Sequence, residues 1–330
     1  MNTTTDSRRA KRIFLYTIAI LLLLSLLVTA TYTWFTISRT PRVSNIGLYI
    51  NAPVGMRLSA APEGQPWVSR LDVAQLLPET SPLRPVTWSE DRQLFFAAEY
   101  GPDGRQTGNW HRLTDDNNAN RDDVYGYYIK ATFYATTDSA VDVSLTHAME
   151  VEEGLSGYGT YLIGSPVWDA ENVLHHNGGN GAETAMRIGL KITPLEALEP
   201  VADQSNFYIF EPNCDTHVDD SAGYLATPSI DGKASLVPED RLIRQTTTSW
   251  READPTQRGL VNYEMGEFMG ETDLFSLGVG QIVQIDLYVW LEGQDIDCDN
   301  RIGREARIMA NIQFLAQSGD QSGLQPIPES

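Results

Sequence analysis

The most constraining feature of this chain is an uncharged apolar run near the N-terminus, Ile13–Val28, in which twelve residues are Ile, Leu, Val or Phe. A basic cluster precedes it: Arg8, Arg9, Lys11 and Arg12. The apolar character continues to Phe35, and a helix over Ile13–Phe35 would be about 34 Å long, enough to cross a bilayer. The basic flank predicts that residues 1–12 stay in the cytoplasm and that the main body lies outside.

Two fates of this segment stay open. In the first, it is a retained single-pass anchor in the cell membrane, with Tyr32 and Trp34 at the outer membrane interface. In the second, it is a signal peptide, because the small residues of Val28-Thr29-Ala30 resemble a cleavage site and cutting near Ala30 would release a secreted protein. Both interpretations predict an extracytoplasmic body.

Charge and missing motifs exclude several classes of function. Acidic residues outnumber basic ones by 44 to 24, a formal net charge of −20, which argues against nucleic acid as a partner. The chain contains no phosphate-binding loop, no dinucleotide fingerprint and no metalloprotease or serine-hydrolase motif, so we predict no nucleotide cofactor and no catalytic residues. A hydrolase whose paired carboxylates are distant in sequence remains an alternative.

Alternation of apolar and polar residues dominates the rest of the chain and predicts half-buried antiparallel strands. The clearest segments are Tyr127–Ala135, Val141–Leu145, Ala185–Thr193, Gln281–Glu292 and Arg307–Leu315. Shorter candidates are Ile46–Ile50, Gln93–Ala97, Tyr158–Ile163 and Phe207–Phe210. Because the intervening loops differ greatly in length, we predict an all-β fold, an antiparallel jelly-roll or Greek-key sandwich with long loops, preceded by one N-terminal transmembrane or signal helix.

These patterns divide the chain into five predicted regions. A basic segment (1–12) precedes the membrane segment (13–35), which a stalk (36–45) joins to one β-sandwich domain (46–316). The last residues, 317–330, are polar and rich in Gly and Pro, which predicts a disordered tail.

The two cysteines of the chain, Cys214 and Cys298, each follow a predicted strand. Thiols outside the cytoplasm oxidise, and we therefore predict a disulfide between them. Closing so long a loop would stabilise the fold by roughly 4 kcal/mol in the chain-entropy treatment.

Two acidic loops are candidate calcium sites, because short oxygen side chains in a tight loop suit a hard divalent cation. The candidate ligands are Asp116, Asn118, Asn120, Asp122, Asp295, Asp297 and Asp299. The second loop departs from the EF-hand pattern, with Asn300 at the glycine position and Ala306 at the bidentate glutamate position. The alternative is a pair of solvated turns, since Asp and Asn are ordinary turn formers. Calcium is the one cofactor that the sequence suggests.

Tyr288 and Trp290 lie on the face of their predicted strand opposite its aliphatic residues. Aromatic rings on such a face could form a platform on which sugars stack. We favour the other interpretation, that both rings pack under a long loop or a second layer of sheet.

The segment Leu26–Ile50 (LLVTATYTWFTISRTPRVSNIGLYI) resembles the start of the camelysin/TasA-like surface proteins of Gram-positive bacteria, in which an export segment ends in a small-aromatic-Phe motif directly before the first strand. Here Ala30–Phe35 corresponds to that motif and Val43–Ile50 to that strand. A second segment, Leu287–Cys298 (LYVWLEGQDIDC), resembles a Trp-x-Glu-Gly-x-Asp-x-x-Cys element of clostridial exported proteins with the same start. The resemblance implies a jelly-roll domain, placement on the cell surface or in a biofilm matrix, and strand exchange between subunits.

These observations predict a non-enzymatic cell-surface protein with a structural or surface-interaction role. Its expected partners are the membrane, through the N-terminal helix, and other copies of itself or other surface proteins. The alternatives are an envelope carbohydrate-binding module and the hydrolase with an unrecognised carboxylate pair.

Overall fold

The computed structural model describes part of the chain: residues 16–25, 43–73, 76, 83–100, 106–115, 126–146, 159–164, 185–212, 214, 226–230, 233–236, 238–246, 249–251, 262–264, 267–270, 272–295, 298 and 306–318. Residues 16–25 form an α-helix. Within the described residues no helix has the length and apolarity needed to span a membrane. The other residues of the predicted membrane segment lie outside the described part.

Most of the described residues belong to two β-sheets. Among the described residues, the first sheet consists of β1 (Val43–Asn51), β3 (Arg70–Asp72), β8 (Val141–Leu145), β9 (Tyr161–Gly164), β19 (Asp273–Leu277) and β21 (Ala306–Ser318). The second contains β2 (Met56–Ser59), β4 (Pro85–Ser89), β5 (Leu94–Tyr100), β6 (Gln106–Arg112), β7 (Tyr128–Thr137), β10 (Met186–Glu196), β11 (Glu199–Pro200), β12 (Asn206–Glu211), β15 (Leu242–Gln245), β18 (Phe268–Met269) and β20 (Ile282–Glu292). Two separate pairs are β13 (Ala226–Ile230) with β14 (Lys233–Leu236), and β16 (Ser249–Arg251) with β17 (Asn262–Glu264). Short 3-10 helices cover Ala202–Gln204 and Glu239–Arg241.

The predicted all-β class is confirmed, and the five clearest predicted strands correspond to β7, β8, β10, β20 and β21. The prediction of purely antiparallel pairing is wrong, because β1 runs parallel to β21, β12 to β15, and β20 to β4. A tight turn forces antiparallel pairing only between strands that follow one another in the chain. The strands β1 and β21 are separated by the whole domain, so no turn fixes their relative direction.

Two strands extend past residues 46 and 316, the predicted limits of the domain. The strand β1 begins at Val43, inside the predicted stalk, and β21 ends at Ser318, two residues inside the predicted tail. Residues 319–330 lie outside the described part.

One hydrophobic cluster contains residues from both sheets. The first sheet contributes Ile50 and Ile312, and the second contributes Phe133, Ile188 and Ile285, all of them buried. Their alternation along each strand follows from the two-residue period of side chains in a sheet. The aliphatic residues that predicted the strands therefore form the main core.

A second, largely aromatic cluster covers the opposite face of the second sheet. The strand β4 pairs in parallel with the end of β20 at Leu291–Pro85, and its hairpin partner β5 carries Phe95. The ring of Phe95 contacts that of Trp290 with centroids 5.1 Å apart. Because apolar groups cover both of its faces, β20 is buried along almost its whole length.

Candidate functional site

Strand register places charged and aromatic residues side by side on the outer face of the second sheet. Asp286 of β20 is paired with Lys191 of β10 on one side and with Thr132 of β7 on the other. One step along, Tyr288 is paired with Gly189 and with Lys130 in the same way. Side chains two residues apart point to the same face, so both rows open on the same surface.

Aromatic rings form the walls beside these rows. Trp88 stacks on Phe207 with centroids 4.2 Å apart and an interplanar angle of 29°. Phe95 stacks on Tyr128 at 4.4 Å and meets Tyr288 at 5.6 Å. The rings come from five different strands, and their mutual packing holds the walls in place.

The rows and walls enclose a cavity of about 280 Å³, which we call the aromatic groove. Its lining residues are Trp88, Gln93, Leu94, Phe95, Leu113, Thr114, Asp115, Tyr128, Lys130, Lys191, Phe207, Asp286 and Tyr288. This volume is close to the lower end of the range of roughly 300–1,000 Å³ for small-molecule sites. The groove therefore has room for one small ring, with apolar walls and polar groups that could fix its orientation.

Two carboxylates of the groove share one ammonium group. Lys130 Nζ lies 2.7 Å from Asp115 Oδ2 and 3.8 Å from Asp286 Oδ2. Asp286 also accepts hydrogen bonds from Thr132 Oγ1 at 2.7 Å and Gln284 Nε2 at 3.1 Å. Both carboxylates are thus oriented by neighbours on the same sheet.

These contacts decide the charge state of the groove. Burial alone would raise the pKa of Asp115, but hydrogen bonds from Lys130 and Tyr128 outweigh it and hold the pKa below its usual value. Burial opposes the charge on Lys130, whereas its hydrogen bond to Asp115 and the nearby Tyr288 and Asp286 raise its pKa. Burial raises the pKa of Tyr288 to about 12. Asp115 and Lys130 are therefore charged, and Tyr288 is neutral, at physiological pH.

A second cluster of charges lies at one end of the central strands of the sheet, beyond the groove. Arg187 of β10 is almost fully buried, and its Nη2 donates to Glu211 Oε1 at 2.8 Å and to Asp295 Oδ2 at 2.5 Å. Its Nη1 donates to the carbonyl of Met186. Glu211 ends β12 and Asp295 follows β20, so one guanidinium joins the ends of three adjacent strands.

The Trp-x-Glu-Gly-x-Asp-x-x-Cys element lies at this same end of the sheet, and its residues have structural roles there. Trp290 Nε1 donates to Glu292 Oε2 at 3.0 Å, and Thr87 donates to Glu292 Oε1. A Cβ on Gly293 would lie 3.1 Å from Pro85 Cβ, so this position favours glycine. Asp295 binds Arg187, as described above, and its carbonyl accepts from the amide of Cys298. The element forms a corner between β20 and β4 in which its polar groups are paired.

The predicted disulfide is wrong: Cys214 and Cys298 are not bonded to each other. They follow β12 and β20, which flank the same end of β10 but lie on opposite sides of it. Two strands separated by a third are about 9–10 Å apart, beyond the usual Cα separation of roughly 4.4–6.8 Å in a disulfide. Cys214 Sγ instead contacts Met269 Sδ at 3.5 Å.

Only one predicted calcium ligand lies within the described residues. Asp295 is buried and bound to Arg187, which leaves its carboxylate committed to an internal ion pair. The other candidates lie outside the described part: Asp116, Asn118, Asn120, Asp122, Asp297 and Asp299. No group of three or more His, Cys, Asp or Glu suited to a metal occurs among the described residues. The predicted membrane-interface residues, Arg8, Arg9, Lys11, Arg12, Tyr32 and Trp34, also lie outside the described part.

The preferred interpretation of Tyr288 and Trp290 is confirmed, since the two residues are 9% and 0% exposed and pack under the β4–β5 hairpin. Sequence reasoning missed the groove that Tyr288 helps to line. Lys130, Lys191 and Asp286 occupy outward positions of three predicted strands. Taken singly, each is typical of an ordinary solvent-facing residue. Their meeting depends on register between strands that are far apart in sequence.

Comparison with known proteins found no matching family model, curated protein or solved structure.

Proposed function

We propose that this chain is a membrane-anchored or exported cell-surface β-sandwich protein with a structural or surface-interaction role, and that it is not an enzyme. The apolar segment after a basic cluster supports export. The shared core of the two sheets supports a sandwich, and so do short connections that pass between the sheets: β1 to β2, β7 to β8, and β19 to β20. Such sheet-switching connections are typical of Greek-key and jelly-roll arrangements.

The position of β1 carries this proposal. It is the first described strand after the apolar segment, and it pairs with β21 along Ile46–Asn51. Asn51 Nδ2 also donates to Asn311 Oδ1 at 2.8 Å, and Leu48 is buried in the core. On its other side β1 pairs with β3 only through Tyr49–Asn51, and no described strand pairs with the part before them. An N-terminal strand with an incompletely paired edge supports assembly by strand pairing or strand exchange.

A chain that lacks residues 1–51 exposes the β21 edge and is expected to bind a synthetic peptide of residues 43–51. The peptide supplies Leu48 and Ile50, whose burial stabilises the core by about 1.5–3 kcal/mol each. Fluorescence anisotropy of a labelled peptide measures the binding. A peptide with Ile50→Glu is the control and should not bind, because it would bury a charge.

Electron microscopy and analytical ultracentrifugation of the intact chain test assembly directly. Concentration-dependent oligomers or filaments are expected. A strictly monomeric chain under all conditions, together with no peptide binding, would contradict assembly through β1.

A specific observation favours a second candidate function, binding of a carbohydrate in the aromatic groove. Sugars present apolar C–H faces that pack on aromatic rings and hydroxyl groups that bond to charged side chains. The groove offers both, in the Trp88–Phe207 stack and in the Asp115–Lys130–Asp286 set. Its size suits one sugar ring of a longer chain.

A glycan array with the full-length chain in detergent tests this candidate, with and without Ca²⁺. Binding of a defined set of oligosaccharides is expected. If no glycan binds under either condition, the carbohydrate candidate is wrong.

The hydrolase alternative needs one carboxyl that is protonated at the working pH. Lys130 keeps Asp115 ionised, so Asp115 does not supply that proton. The other close acid pair, Glu211 and Asp295, is buried around Arg187 and does not line the groove.

A further inference from the structure

Lysine is rare in this chain, and half of the lysines line the groove. Of 24 basic residues only four are lysines: Lys11, Lys130, Lys191 and Lys233. Two of these line the aromatic groove. Arginine supplies nearly all the other cations, which makes the choice of lysine at this site distinctive. Lysine differs from arginine in presenting a compact point charge with three donors rather than a planar fork.

The two groove lysines differ in their partners. Lys130 is bound to Asp115 and Asp286, and it also lies 5.6 Å from the centre of the Tyr288 ring. Lys191 is the cross-strand neighbour of Asp286, yet it forms no ion pair with any described carboxylate. Asp286 Oδ1 accepts from Thr132 and Gln284, and Asp286 Oδ2 lies 3.8 Å from Lys130 Nζ. Lys191 therefore brings to the groove a positive charge that no described group holds in a direct ion pair, although at longer range it helps to lower the pKa of Asp115.

We propose that the aromatic groove binds an acidic sugar, and that Lys191 pairs with the carboxylate of that sugar. This inference rests on the second candidate function, carbohydrate binding, and specifies its ligand class. The walls formed by Trp88 and Phe207 would pack on the apolar face of the ring. The fixed oxygens of Asp286 and Asp115 would accept hydrogen bonds from ring hydroxyls.

Charge complementarity favours a carboxylate over a phosphate group. The two groove acids and two groove lysines sum to zero, with Lys130 shared between the acids. A monoanionic carboxylate adds one negative charge to this neutral set, whereas a phosphate adds nearly two and is repelled more strongly by Asp115 and Asp286. In a chain of net charge −20, Lys191 supplies a local cation for such a ligand.

The test compares oligosaccharides of galacturonate, glucuronate and mannuronate with their methyl esters, which keep the same rings and lose only the charge. Isothermal titration calorimetry uses the full-length chain in detergent. We expect at least one acid form to bind about tenfold more tightly than its ester, equivalent to about 1.4 kcal/mol. The affinity of the acid form is expected to fall as salt is added.

The variant Lys191→Gln is expected to reduce binding of the acid form to the level of the ester and to leave binding of the ester unchanged. Arg57→Gln is the matched control, because it also removes one positive charge. Arg57 lies on β2 opposite Thr136, away from the groove, in an exposed pair with Asp138. This control should bind both ligands as the wild type does.

The outcomes separate the two proposals. Equal binding of acid and ester, unaffected by Lys191→Gln, would overturn the acidic-sugar inference and leave carbohydrate binding intact. Binding of neither form, with no hit on the glycan array, would overturn both. Equal losses in Lys191→Gln and Arg57→Gln would also overturn the inference, because they would indicate a general charge effect.

Discussion

Replacing Arg187 with methionine is expected to lower the free energy of unfolding by about 3–5 kcal/mol, the range for breaking a buried ion pair. Its side chain is 4% exposed, and those of both its partners, Glu211 and Asp295, are 0% exposed. Methionine fills similar space but leaves two buried carboxylates without their cation. Because the guanidinium joins β10, β12 and the end of β20, the loss falls on the centre of the second sheet.

The effect of this substitution should depend on pH. Burial raises the pKa of the neighbouring Glu292, despite hydrogen bonds from Thr87 and Trp290. A carboxyl with a raised folded-state pKa stabilises the fold most below its ordinary pKa, and that stability is lost as the pH rises. Removing Arg187 also removes a charge that lowers the pKa of Glu292, so this pKa rises further. The deficit of Arg187→Met is therefore expected to shrink as the pH falls from about 7.5 to about 4.5.

Urea unfolding at both pH values measures this change, with midpoints compared at constant slope. Arg57→Met is the control: its pair with Asp138 is exposed, so the expected loss is about 0–1 kcal/mol. Combining Arg187→Met with Glu211→Gln and Asp295→Asn should restore part of the stability, because the buried charges are then gone. An Arg187→Met protein as stable as the wild type at neutral pH would contradict the assigned ion pairs.

Replacing Gly189 with alanine is expected to destabilise the fold by about 1–3 kcal/mol, the usual result of overpacking. A Cβ at this position would lie 2.5 Å from Phe207 Cζ and 3.1 Å from Trp290 Cζ3. Alanine also restricts the unfolded chain more than glycine does, which stabilises the fold by about 0.4–1 kcal/mol. This gain is smaller than the cost of overpacking. Phe207 must move, and with it the stack on Trp88 that forms a wall of the groove.

Thermal unfolding and near-ultraviolet circular dichroism measure the two consequences, stability and aromatic packing. Gly278→Ala is the matched control, because its Cβ would meet only Gln281 Oε1 at 3.5 Å, an ordinary contact. Its expected effect is within about 0.5 kcal/mol. Gly189→Ala should also weaken any saccharide binding, since Phe207 lines the groove and its displacement changes the shape of the wall. Unchanged stability and unchanged aromatic signals would contradict the close packing of Phe207 over Gly189.

Local patterns predicted the long strands because the two-residue period is a property of the chain itself. Val141–Leu145 is a strand as its alternation predicted, and Ile308, Ala310, Ile312 and Phe314 are all buried as theirs indicated. Short strands such as Phe268–Met269 carry too few residues for a period to show. Their strand form depends on a neighbour that offers backbone partners, here β15.

The sites were harder to predict than the strands. The disulfide prediction correctly placed both cysteines after strands that end at the same side of the sheet, but it had no information on strand order. The presence of β10 between those strands separates the thiols. Arg187 joins the strand ends instead. In the sequence it was recognised only as a polar residue in an alternating pattern.

The sequence by itself determined the all-β class, the long strands and the core-facing residues, because each follows from chemistry repeated along a few neighbouring residues. Strand order, parallel pairing and register were decided by the tertiary structure, since burying both faces of β20 selects one arrangement among many with the same local pattern. The aromatic groove and the Arg187 cluster exist only in that arrangement. Each takes its residues from strands far apart in the chain, and packing of the whole domain brings them together.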